Sequence, residues 1–224
     1  MTRTRSALDN DLTAIRDDIL RLGSLVNQAV ERAFKAFVGN DIQLAQKVVQ
    51  GDDEIDSLHH KLEEDITTTI ALQQPMASDL RKLIADLLIT NELERMGDYA
   101  EGIGRTTLLH DEGTPQLSPL LADMHRLVLD MIGGVMDAYL EESTEKAREV
   151  AWYDDRLDVL YRQYIDSLVS RMGSEELSIE EGTHRIWVVH NLERIGDRVT
   201  NIAERIVYAR TGTVGGLNPR FFRE

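Results

Sequence analysis

The sequence predicts an all-α protein built as two tandem antiparallel three-helix bundles, six long helices in all. Three observations carry that expectation. Apolar residues recur every three to four positions over long stretches. Only four prolines and 5% aromatic residues interrupt 224 residues, which suits long helices better than a β-sandwich. The segment Glu94-Arg-Met-Gly-Asp98 returns as Glu193-Arg-Ile-Gly-Asp197, 99 positions later, with Leu93, Met96, Ala100 and Ile103 answered by Leu192, Ile195, Val199 and Ile202.

In the first helix, residues 6–38, Leu8, Leu12, Ile15, Ile19, Leu22, Val26, Ala29, Ala33 and Phe37 form one stripe, the seam of a packed bundle. Gly39 is expected to cap it, with Asn40 or Asp41 opening the second helix. That helix carries Leu44, Val48, Ile55, Leu58, Leu62 and Ile66 and runs to about Gln74. Pro75 cannot continue it but suits the first turn of a third helix, which reaches about Leu109. Gly113-Thr-Pro115 closes the first half.

Ser118-Pro119 then opens the fourth helix. Its stripe of Leu121, Met124, Val128, Met131, Val135 and Ala138 lies 102 positions after Ile19, Leu22, Val26, Ala29, Ala33 and Ala36. The fifth runs unbroken from Ser143 to about Gly173. The capping-box sequence Ser178-Ile-Glu-Glu181 opens the sixth, which ends near Tyr208. Two units result, residues 6–112 and 117–210, followed by a tail, residues 211–224, without periodicity and read as flexible.

A formal charge of −15 repels phosphate backbones and speaks against nucleic-acid binding, while suiting cations and basic protein surfaces. The absence of cysteine removes disulfides and thiolate metal sites and fits a cytoplasmic protein. No apolar run approaches the ~20 residues needed to span a bilayer, so membrane association is expected only through partners.

The chemistry concentrates in carboxylates. Asp52 and Asp56 on the second helix match Asp154 and Asp158 on the fifth at offset 102. Each half thus has two acid pairs four residues apart, Asp52/Asp56 with Glu94/Asp98, and Asp154/Asp158 with Glu193/Asp197, on successive antiparallel helices. Two like charges on one helix face repel by a few tenths of a kcal/mol, a cost built in four times. At 100° per residue Glu193 and Asp197 point away from the stripe Val188, Leu192, Ile195, Val199, Ile202 and Ile206, which puts the acids on the outside of the bundle.

Two readings stand: a solvated polar face, with Arg95 and Arg194 neutralising Asp98 and Asp197, or a hard oxygen site for Mg²⁺, Mn²⁺ or Ca²⁺ that also accommodates iron or zinc. Duplication favours the metal. Asn201, four beyond Asp197, is expected to offer a further oxygen ligand, and its counterpart Gly102 allows the two sites to differ, with Glu101 expected to substitute there. His59 and His190 have Tyr161 and Asn91 as repeat partners and read as surface histidines with at most auxiliary ligation, and His60 as a surface or packing residue.

Gln74-Pro-Met-Ala-Ser-Asp-Leu-Arg81, followed by Glu94-Arg-Met-Gly-Asp98 and Glu193-Arg-Ile-Gly-Asp197, resembles the PhoU family over roughly residues 6–210. The resemblance implies a cytoplasmic, homodimeric regulator of phosphate uptake and phosphate-starvation signalling, made of two PhoU repeats. It would act as a negative regulator linking the ATPase of the phosphate ABC transporter to a sensor histidine kinase. It also implies multinuclear iron or zinc clusters on Glu94, Asp98, Glu193 and Asp197, with Asp52, Asp56, Asp154 and Asp158 supplied by the partner helices. No nucleophile or phosphate-loop motif is present. The alternative, a di-iron or di-manganese carboxylate enzyme, would direct its ligands into the bundle core, which the outward acids disfavour.

Overall fold

The computed structural model describes residues 2–109 and 117–213, and they are helical almost throughout. The helices are α1 (Thr2–Gly39), α2 (Ile42–Gln73), α3 (Ser78–Leu108), α4 (Pro119–Leu140), α5 (Thr144–Ala151), α6 (Tyr153–Gly173) and α7 (Ile179–Thr211). The first three pack on one another, as do the last four. The halves meet where α3 lies along α7 and α1 crosses α4. His110, Gly113-Thr-Pro115 and the tail from Val214 lie outside the described residues.

The stripes read from the sequence form the core. Ile15, Ile19, Leu22, Val26, Ala33 and Phe37 of α1 are buried, as are the α4 residues Leu121, Met124, Val128, Met131, Val135 and Ala138. All six members of the α7 stripe are buried with them. These side chains come from both halves and make one continuous apolar interior. Burying each large one contributes about 1.5–3 kcal/mol.

Several joints differ from expectation. Asn40, rather than Gly39, takes the left-handed position after α1, at φ 47°. Asp41 then caps α2, its carboxylate accepting from the Leu44 amide at 2.9 Å. Asparagine enters this region more readily than most residues that carry a side chain. Pro75 does not open α3. It is buried in a link between Gln74 and Ala77, both at positive φ, and α3 starts only at Ser78.

The Arg81 guanidinium lies against the end of α7, its Nη1 2.7 Å from where a Cβ on Gly212 would sit, and Gly212 itself has φ 73°. A cation is favourable at that end of a helix, and only glycine satisfies both the backbone and the close approach.

The long fifth helix is two segments. At Trp152 the amide turns to the Glu149 carbonyl, an i→i−3 bond at 3.2 Å, and α6 begins afresh at Tyr153. Ser143 and Ser178 cap as expected, accepting from the Lys146 and Glu181 amides at 3.2 and 3.1 Å.

Candidate metal-binding grooves

In the first half α2 and α3 bring both acid pairs to one groove. Burial, then the carboxylates of Asp56, Glu101, Asp98 and Glu94, push Asp52 up to about 7. Glu94 is raised by burial and by Asp98, and Asp98 by burial, Asp56 and Glu101. Glu101 belongs to the same group although Arg105 holds it at 2.6 Å. The approach depends on Gly97, since a Cβ there would meet Asp52 Oδ1 at 3.1 Å and Ile55 Cγ2 at 3.0 Å.

The second groove keeps the plan with different charges. Gly196 stands against Leu157, the repeat counterpart of Ile55. Burial, then Asp197 and Asp154, raise Glu193 against the lowering effect of Arg194 and Arg198. Its Oε2 is buried and accepts no hydrogen bond, with Arg194 Nε 3.7 Å away. Arg194 also reaches Asp197 at 3.5 Å and donates to His190 Nε2 at 3.4 Å. Asp158 is half-buried, whereas Asp154 is only 3% exposed, so this groove is not the open outer face that helix periodicity implies. The break at Trp152 sets the two halves apart in a second way. It places Asp154 and Asp155 in the first turn of a new helix, where the dipole favours carboxylates.

Asn201 turns to the other half. Its amide donates to Glu92 Oε2 at 3.1 Å, and Arg198 joins the same oxygen at 3.2 Å. The repeat-related pair occupies the mirrored place on the α3–α7 seam, for Asn191 Nδ2 lies 2.9 Å from where a Cβ on Gly102 would be. The seam thus has an approximate twofold relation, with Glu92 and Asn191 equivalent, and Gly102 and Asn201 equivalent.

His59 is buried rather than on the surface, and its Nε2 donates to Asn91 Oδ1 at 2.8 Å. Tyr161 and His190, the repeat counterparts of these two, face each other at 6.4 Å between ring centroids. Among the described residues, His59, His60 and Glu63 alone bring three ligand atoms within 4.8 Å of one another. The i, i+4 spacing of His59 and Glu63 on α2 is the signal in the sequence, though the second half does not repeat it. No three of the predicted carboxylates come that close among the described residues.

The donor set fits a cation nonetheless. Five carboxylates act on one another in the first groove, and an unsatisfied buried oxygen marks the second. Oxygen ligands suit hard ions, and His59, which acts on Glu94, extends the range to iron or zinc.

A model of the PhoU domain matches residues 19–107 and again 121–206. The chain belongs to the PhoU family. A Zymomonas mobilis protein named phosphate-specific transport system accessory protein PhoU homolog is 37% identical over 210 residues, 93% of this chain and 89% of its own. A Clostridium acetobutylicum protein of the same name is 33% identical over 96% of this chain and 99% of its own.

The crystal structure of the phosphate transport system regulatory protein PhoU from Streptococcus pneumoniae superposes with a TM-score of 0.87. Identity is 29%, and the match covers 93% of this chain and 99% of that one. PhoU from Pseudomonas aeruginosa does so equally, at 31% identity over 92% of this chain and 99% of that one. The PhoU family is a family of regulatory accessory proteins and not of enzymes. A Glu-x-x-His spacing of the kind used by di-iron enzymes does occur in this PhoU chain, at Glu181-Gly-Thr-His184. It is single, and Glu181 is paired with Arg185. No helix among the described residues is long and apolar enough to cross a membrane.

Proposed function

We propose that this chain is a metal-binding regulator of phosphate uptake and phosphate-starvation signalling. It acts as an accessory protein of the phosphate transport system and represses the starvation response when phosphate is plentiful. In this reading it is a cytoplasmic homodimer that touches the membrane only through its partners, the ABC-transporter ATPase and a sensor histidine kinase. The near full-length likeness to proteins named as accessory to phosphate transport supports the regulatory part.

One observation carries the metal part: burial, and then four neighbouring carboxylates, push Asp52 to about 7, an arrangement that a cation would relieve. Asp52, Asp56, Glu94 and Asp98 would hold ions in one groove, and Asp154, Asp158, Glu193 and Asp197 in the other. Iron or zinc is the first choice, manganese or magnesium the second. Bound there, the ions would supply charge neutralisation and cross-bracing of adjacent helices.

The test is a deletion strain carrying a phosphate-responsive reporter. In high phosphate the reporter should be active in the deletion strain and silent once the wild-type gene is restored. A variant with Asp52, Asp56, Glu94 and Asp98 all changed to Ala should fail to silence it. Repression that persists in the deletion strain would overturn the regulatory reading. A fully silencing variant would remove the metal from it.

A further inference from the structure

Apart from the grooves, one cavity lies where the two halves meet. It holds about 160 Å³, some ten times the roughly 10–15 Å³ one water needs, and is walled by α1, α3, α7 and the end of α4. Arg16, Lys82 and Arg210 reach it from three different helices, and Glu142, Asp86 and Tyr139 complete its polar lining. Three cations against two carboxylates make it a positive site in a chain of net charge −15.

The cations are already arranged around an oxyanion. The Glu142 carboxylate accepts from Lys82 at 2.6 Å through one oxygen and from Arg210 at 3.0 Å through the other. Arg16 bonds the Leu140 carbonyl beside it. Glu142 does this from the corner between α4 and α5, at φ 50°, a conformation that side-chain-bearing residues seldom adopt. Asp86 is buried behind them on α3. Tyr139 spends its only proton on Asp86 Oδ1, at 2.8 Å, so the pair offers an acceptor and no further donor.

We propose that this cavity binds a small oxyanion that still carries a proton, the class represented by monohydrogen phosphate. The ligand takes the place of the Glu142 carboxylate between Lys82 and Arg210, and its O–H donates to the Asp86–Tyr139 pair. A fully deprotonated oxyanion such as sulfate has no hydrogen for Asp86 and meets its charge instead, so the site discriminates between the two. Displacing Glu142 unties the α4–α5 corner from α3 and α7, so occupancy is felt by both halves. No residue of this site belongs to the carboxylate grooves, and the binding does not depend on the regulatory reading.

Titration calorimetry of the full chain with inorganic phosphate, and separately with sulfate at matched ionic strength, tests the assignment. Phosphate should bind at least about tenfold more tightly than sulfate, a difference of ~1.4 kcal/mol. Lys82→Gln with Arg210→Gln should weaken phosphate by about tenfold or more. Glu142→Gln, which removes the competing charge, should tighten it by a similar factor. Asp86→Asn should abolish the preference over sulfate. The tightening in Glu142→Gln cannot arise from misfolding, so it decides the matter if the double variant loses its helical circular dichroism. Absence of phosphate binding in both the wild type and Glu142→Gln would overturn the proposal. So would equal affinity for sulfate, or an affinity unchanged in a folded double variant.

Discussion

Asp52 Oδ1 lies 3.1 Å from the point that a Cβ on Gly97 would occupy, so a carboxylate of α2 reaches the backbone of α3 through the gap left by a missing side chain. In the second half Leu157 fills the corresponding gap at Gly196. The glycine inside each repeated ExxGD segment is therefore a packing device that closes the acid-bearing helices on each other. An interior glycine costs ~1 kcal/mol in helix propensity, and the close approach is what that cost obtains.

Gly196→Ala should accordingly destabilise the protein by about 1–3 kcal/mol, because the fully buried Leu157 has no room to retreat. Gly133, inside α4 with nothing within 4 Å of its would-be Cβ, is the matched control. Gly133→Ala should stabilise by about 1 kcal/mol. Urea denaturation of both variants checks the pair, and equal shifts would mean that the Gly196 contact is dispensable.

Asp52 makes metal-free stability depend on pH in a set direction. Its folded value of about 7 lies above its ordinary 3.8, so the folded state binds more protons between these limits. Stability contributed by this group is therefore lost as pH rises from about 4 through 7. In the presence of a chelator, Asp52→Asn should raise the melting temperature at pH 8 and leave it nearly unchanged at pH 4. Melting curves at the two pH values decide this; a uniform shift would locate the effect elsewhere.

Tyr139→Phe leaves the buried Asp86 carboxylate without its 2.8 Å donor. Burial already holds Asp86 at about 6, and the tyrosine works against that rise. Its loss should cost about 1.5–3 kcal/mol at pH 8, where the carboxylate is charged, and less at pH 5, where it is protonated. Denaturant titrations at both values read the difference directly.

The fold was legible because it rests on periodicity, and the stripes of α1, α4 and α7 enter the core as written. Joints were less legible, since several residue types tolerate a left-handed backbone: Asn40 took that position where Gly39 stood ready. The break at Trp152 left no trace, because Ala151, Trp152 and Tyr153 carry no proline or glycine. It matters for the site, since it gives Asp154 a helix N-terminus that Asp52 lacks.

The acid pairs were legible through duplication and i,i+4 spacing. Asp86 was not, although it interrupts an apolar face between Leu83 and Ile89, and such an interruption is the only mark that a buried carboxylate leaves in a sequence. Asn201 shows the limit of face arguments. It shares a face with Asp197, yet its amide is engaged by Glu92 of the other half.

If the repeated carboxylates hold cations, the purified protein carries them, and its metal content reads this out. Protein purified without a histidine tag would be analysed by mass spectrometry beside a variant with Glu94, Asp98, Glu193 and Asp197 all changed to Ala. Several ions per wild-type chain are expected, and their loss from a variant that keeps its helical circular dichroism. Equal, near-zero content in both proteins after incubation with iron, zinc and manganese would contradict it.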